Sequence, residues 1–177
     1  TFAAVNHSNM EFSQAKNKFI QTWGALGSQW GINKTMAQIH ALLLISPESI
    51  SMEDIMDELH ISRGNASMNL RALIDWGIVY KDYRAGERKE FFYAEKDLDE
   101  MAVKISQERS KREIKPALKV LKEVSDFNPE ATPAQTHFVE QTQRLYDFVS
   151  KADNVLDKIT EYKDNWMARM VMKFLKK

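Results

Sequence analysis

The run Ser62-Arg-Gly-Asn-Ala-Ser-Met-Asn-Leu-Arg71 holds side chains able to bond the edges of nucleic-acid bases. The guanidinium of Arg71 or Arg63 can donate two parallel hydrogen bonds to guanine, and the amide of Asn65 can pair with adenine. Ser67 adds a hydroxyl. Met68 is an apolar contact for a thymine methyl, with a contact to the wing or inside a dimer as the equal alternative. Gly64 has no side chain to hold the backbone away from a ligand. A charged run follows, Lys81-Asp-Tyr-Arg-Ala-Gly-Glu-Arg-Lys-Glu-Phe-Phe-Tyr93, in which Lys81, Arg84, Arg88 and Lys89 are candidates for phosphate. Phosphate contacts fix register without reading sequence. Taken alone, such a hairpin reads equally as a solvated edge that blocks strand-to-strand pairing.

These residues work only if helices and a ribbon hold them. Ser51 is placed to cap one short helix, with Glu53 and Asp54 complementing its dipole, and Ser62 to cap the next. Gly77 is placed to stop the second helix. On it Ala66, Leu70 and Leu73 share the side that should be buried. Gly64, Ser67, Met68 and Arg71 lie opposite, with Arg63 and Asn65 crowning the N-terminal end. Val79–Tyr83 and Lys89–Tyr93 read as strands around Ala85-Gly86-Glu87. Two short helices, a tight turn and a ribbon behind them make a winged helix-turn-helix, and in that context the ribbon cations read as DNA contacts.

Around this head the chain reads as helices. A first spans about Glu11 to Leu26 and is interrupted by Gly27, Ser28 and Gly31. A second, Lys34 to Ile45, is apolar nearly all round and ends at Ser46-Pro47. A fifth opens at Asp97, Asp99 and Glu100 and reaches about Phe127, with a kink expected at Pro116. After Pro133 a long helix carries a seam of Phe138, Leu145, Val149, Ala152, Leu156 and Ile159. That helix is too long to hide its seam on a small domain, so packing on a second copy is expected. The fold class is therefore mostly α, a winged helix-turn-helix with a β-hairpin wing and long terminal dimerisation helices. By parts, 1–9 is a mobile tail, 10–33 the first helix of a dimerisation region, 34–95 the DNA-binding domain, and 96–177 the long helices for dimerisation and an effector.

Composition narrows the classes. The 177 residues are 44% hydrophobic with a formal net charge of +0, so any field for nucleic acid must be local. No cysteine is present, which removes disulfides, thiol nucleophiles and cysteine-ligated zinc, and favours the cytoplasm. No apolar run approaches the roughly 18 residues of a membrane span, and residues 1–9 lack the features of a signal peptide.

Ser62 to Arg71, then Asp75-Trp76-Gly77-Ile78-Val79, then Gly86-Glu-Arg-Lys-Glu-Phe-Phe-Tyr93 resembles the GbsR branch of the MarR-type transcriptional regulators, and Gln107-Glu-Arg-Ser-Lys-Arg-Glu-Ile-Lys-Pro116 continues the likeness. It covers roughly residues 20 to 125. The resemblance implies a homodimeric regulator on a roughly two-fold symmetric double-stranded DNA operator, and a repressor is the function expected of it. The first, fifth and last helices would form the dimer. It also brings a small-molecule effector, choline in some members. A quaternary ammonium needs a cage of aromatic faces. Trp23, Trp30, Tyr146, Tyr162 and Trp166 supply rings, though each reads more simply as a core or interface aromatic.

Other constellations carry less. His7, His40, His60 and His137 are scattered and show no metal-ligand spacing, so neither a metal nor a cofactor is expected. Asp97, Asp99 and Glu100 sit where a helix start favours acid. Lys104, Arg109, Lys111, Arg112 and Lys115, spaced by Gln107, Glu108 and Glu113, read as a solvated helix face. The expectation is a DNA-binding regulator and not an enzyme. A winged-helix protein-interaction module without sequence-specific DNA binding is the alternative.

Overall fold

The computed structural model describes residues 10–127 and 132–175, with side-chain surroundings as far as residue 158. The expected tail at 1–9 and the residues Ile159, Tyr162 and Trp166 lie outside those limits. The chain divides into two compact units, residues 1–97 and 98–177.

The first unit runs α1 (Phe12–Gln29), α2 (Lys34–Ile45), β1 (Ile50–Ser51), α3 (Met52–Leu59), α4 (Arg63–Asp75), β2 (Val79–Asp82) and β3 (Phe91–Ala94). Helix α2 is its axis, with Ile39, Ala41, Leu42 and Leu43 buried on all sides, as its apolar composition requires. Ile20, Ile55, Leu70, Leu73, Val79 and Phe92 close around it. Burial of each Leu, Ile, Val or Phe contributes roughly 1.5–3 kcal/mol. Asn33 caps α2, its side chain accepting from the Met36 amide. The C-terminal carbonyls of α2 find a distant partner. Lys96 Nζ donates to the carbonyls of Leu43, Leu44 and Ser46, each at 2.7 Å, which satisfies groups that the helix itself leaves orphaned.

Helix α1 does not stop at Leu26. It continues through Gly27 and Ser28 to Gln29. Gly27 is there for packing: a Cβ added to it would stand 2.6 Å from Cβ of Ala37 on α2. Gly27→Ala is expected to destabilise the unit by about 1–3 kcal/mol through overpacking, against a helix-propensity gain of about 1 kcal/mol. The check is the denaturant midpoint, and an unchanged or raised midpoint would contradict this close approach.

The strands form an antiparallel sheet of order β1-β3-β2. Val79 faces Ala94 and Asp82 faces Phe91 across the hairpin. Strand β1 has no counterpart among the strands expected from the sequence. Its two residues pair across the chain, Ile50 with Phe92 and Ser51 with Phe91. Strand β3 also starts at Phe91 rather than Lys89, so the wing loop is wider than expected.

In the second unit, α5 (Leu98–Arg109) passes through a π-helical turn (Ser110–Ile114) into α6 (Lys115–Ser125), and α7 (Pro133–Leu175) follows. The π turn is what stands where a kink at Pro116 was expected. Proline lacks an amide hydrogen and its ring crowds the preceding turn, and a widened turn accommodates both. Inside that turn Ser110 is buried and donates to the buried carboxylate of Asp153 on α7. Thr132 and Gln135 cap α7 reciprocally: the Gln135 amide donates to Thr132 Oγ1 at 3.3 Å, and the Thr132 amide to Gln135 Oε1 at 3.3 Å.

Helix α7 has two seams where the sequence suggested one. Val139, Thr142, Tyr146, Val149, Asp153 and Leu156 are buried or half-buried, alternating by four and three. Phe138, Leu145, Phe148 and Val155 form a separate exposed line, with Phe148 72% exposed. Val149 and Leu156 thus belong inside the unit, and Phe138 and Leu145 outside. No helix among the described residues is long and apolar enough to cross a membrane.

Candidate nucleic-acid interface

Local capping sets the geometry of the helix pair. The Ser51 side chain accepts from the Asp54 amide at 3.1 Å, and that of Ser62 from the Asn65 amide at 3.3 Å, so both helices begin where expected. The turn between them is made by His60, held left-handed at φ 52, with the Ile61 amide returning to Met56 O. Helix α4 ends on Gly77 at φ 70. Its amide donates to Ile74 O, and the Ile78 amide donates to Leu73 O at 3.2 Å, the paired closure that a left-handed glycine permits.

With α4 fixed at both ends, its faces are sorted. Ala66, Asn69, Leu70 and Leu73 are buried. Gly64, Ser67, Met68, Arg71, Ala72 and Asp75 line one shallow groove of about 340 Å³. This is the face assigned from the sequence, extended by Ala72 and Asp75, which the sequence did not single out. At 100° per residue, positions 68, 71 and 75 all recur within about 40° of 64. Met68 is 61% exposed. Arg71 is exposed and holds no ion pair among the described residues. A Cβ added to Gly64 would meet nothing within 4 Å, so no described contact accounts for a glycine there.

Arg63 and Asn65 sit differently from the groove residues. Arg63 donates to Glu53 Oε1 of α3 at 2.6 Å, and its other terminal nitrogen lies 3.7 Å from Met52 Sδ. That bond to Glu53, more than any other influence, holds the Glu53 carboxyl below the usual range. Asn65 is half-buried on the flank of α4, and its Oδ1 accepts from Asn69 Nδ2 at 2.6 Å.

The wing divides its cations. Lys81 Nζ pairs with Glu90 at 2.5 Å, and that hydrogen bond raises the lysine above its ordinary value. Arg84 folds back onto the sheet. Its guanidinium lies 4.0 Å over the Phe91 ring, with Nε to Asp82 at 3.1 Å and a terminal nitrogen to Ser49 Oγ at 2.5 Å. Asp82 is lowered by Ser49 first and Arg84 second. Arg88 and Lys89, in the wider loop, are exposed and hold no ion pair among the described residues. The loop turns on Gly86 at φ 83, where the Glu87 amide donates to Arg84 O.

Among the aromatic candidates, Trp23 packs on Phe19 at 5.7 Å and lies 6.3 Å from His40, while Trp30 is exposed. No group of three or more metal-ligating side chains assembles among the described residues.

No family model matches the chain, and no curated protein does. Among solved structures it is similar to a transcriptional regulator, with a TM-score of 0.55 at 19% identity, over 81% of this chain and 99% of the other. A mutant of S. aureus MepR bound to an oligodeoxyribonucleotide and a second MepR mutant each align over 93% of both chains at 14% identity. Their TM-scores, 0.37 and 0.36, are too low to argue from. The first likeness, set beside the capped helix pair and its three-stranded sheet, establishes the fold: the chain is a winged helix-turn-helix protein with helical extensions.

Proposed function

We propose that the protein is a sequence-specific double-stranded DNA-binding transcriptional regulator of the GbsR branch of MarR-type proteins, a repressor acting as a homodimer on a two-fold symmetric operator. One observation carries the reading. The exposed groove of α4 holds Arg71 and Met68 beside a glycine that no described contact requires. A major groove accepts such a helix, and base edges match those side chains. Arg88 and Lys89 supply cations for the flanking backbone. Carboxylates outnumber lysines and arginines between residues 34 and 95. Weak non-specific binding follows from that balance. The resemblance also brings a small-molecule effector, with no residue of the chain assigned to it.

The test is selection of genomic fragments by the full chain, followed by titration of the selected duplex against salt. A selected site bound no better than random duplex would leave the interaction-module reading in its place. Gly64→Ala separates the interface from the fold. With open space around the new methyl, stability should hold or rise by up to about 1 kcal/mol from helix propensity. Operator affinity should fall at the same time. Equal affinity for the operator would remove α4 from the groove.

The exposed line on α7 supports the homodimer. Phe138, Leu145, Phe148 and Val155 recur by seven and three, the spacing of a seam between helices. Phe148→Glu should convert a dimer to a monomer in light scattering at micromolar concentration. A dimer that survives this change and Leu145→Glu would place the interface elsewhere.

A further inference from the structure

We infer that Asn69 is a positioning residue that locks the amide of Asn65 with its Nδ2 toward DNA, so that Asn65 accepts adenine, guanine or thymine opposite it and rejects cytosine. The inference rests on the proposed DNA-binding function and specifies one of its readers.

Asn69 lies on the buried side of α4 between Ala66, Leu70 and Leu73 and is 3% exposed. The pattern there calls for an apolar residue, and a buried amide costs free energy unless it is bonded. The side-chain bonds of Asn69 all go to one residue. Its Nδ2 donates to the Asn65 carbonyl at 2.9 Å and to Asn65 Oδ1 at 2.6 Å. These two bonds fix both amides. Turning the Asn65 amide over would set its NH2 against that of Asn69. Asn69 cannot turn in response, because its Oδ1 would then face the Asn65 carbonyl oxygen. The Nδ2 of Asn65 makes no hydrogen bond among the described residues and is not enclosed. Asn65 is not among the residues that line the groove, but it adjoins Gly64 and by helical period lies within about 20° of Ala72, on the flank of α4 beside it.

An outward NH2 needs an acceptor. In the major groove adenine offers N7, guanine N7 and O6, and thymine O4, whereas cytosine offers only the N4 donor. The paired adenine contact expected from the sequence also draws on Oδ1, one of whose two lone pairs Asn69 takes.

The experiment uses the full chain, a random duplex library, and then anisotropy titrations of the selected duplex with each base at each position. Each half-site should contain one position where cytosine weakens binding roughly tenfold relative to the other bases. Asn69→Leu keeps the volume and removes the lock. It should abolish the cytosine penalty at that position and leave the other preferences standing. Asn65→Ala, at a half-exposed site that tolerates truncation, should do the same. A cytosine penalty that persists in both variants, or is missing from the native protein while other positions discriminate, overturns the inference. Loss of preference across the whole site in Asn69→Leu would mark a merely structural role and overturn it too. A native protein that discriminates at no position instead refutes the DNA-reading function itself.

Discussion

Arg71→Ala is expected to weaken operator binding by about 1–3 kcal/mol per half-site and to relax the choice of base at one position in each. Arg71 is the one cation lining the α4 groove, and no carboxylate among the described residues holds its guanidinium. It can therefore meet a guanine edge without first breaking an internal bond. Arg63 is different, since DNA must compete with Glu53 for it. The contrast with the wing makes the prediction sharp. Arg88→Ala should weaken binding to all sequences alike and lower the slope of log affinity against log salt by about 0.9 for each phosphate it no longer neutralises. Arg71→Ala should instead change the ranking of sequences. Unaltered base preferences in Arg71→Ala, measured on single-base variants of the selected site, would refute its role in the groove.

Acidification should destabilise the first unit through His40. This histidine is 3% exposed in α2, its Nε2 has no hydrogen-bond partner among the described residues, and its pKa is lowered to about 4, by burial first and by Lys96 second. In the unfolded chain it titrates near its ordinary value of 6.5. Between these values the unfolded state takes up a proton that the folded state refuses. The His40 contribution is thus fully present above about pH 6.5, falls as the pH drops, and is gone below about pH 4, an overall change of about 3 kcal/mol. About 2 kcal/mol of it should be lost by pH 5. His40→Leu keeps the burial and removes the proton site. Urea melts at pH 7 and pH 5 should show a smaller decline for the variant than for the native protein. Parallel declines would mean that His40 does not carry the acid sensitivity.

The parts of this protein that were legible in the sequence are those encoded within a turn or two of chain. Ser51, Ser62 and Gly77 mark helix ends because capping is settled by neighbours three or four residues away. The division of α4 into Leu70 and Leu73 on one side and Met68 and Arg71 on the other follows from helical period alone. The groove assignment rests on the same regularity.

Pairings across the chain were not legible. Gly27 looked like a helix breaker, and only the approach of Ala37 shows why a glycine stays inside α1. Nothing in the sequence singles out Lys96, and only the fold brings it to three carbonyls at the end of α2. Arg84 counted equally with Arg88 as a wing cation, yet Phe91, Asp82 and Ser49 hold it against the sheet. Val149 and Phe138 read as one seam because both are apolar at helical spacing, and only the packing of α7 in its unit tells inner from outer.

The sequence by itself determined the helix pair, its caps and the face of α4 that stays exposed. The tertiary structure decided which polar groups on that face and wing remain available. The reason is physical. Helical period and capping are local, so residue types report them directly. Whether a guanidinium or amide is free depends on what distant backbone brings within about 3 Å of it, and no spacing in the chain records that.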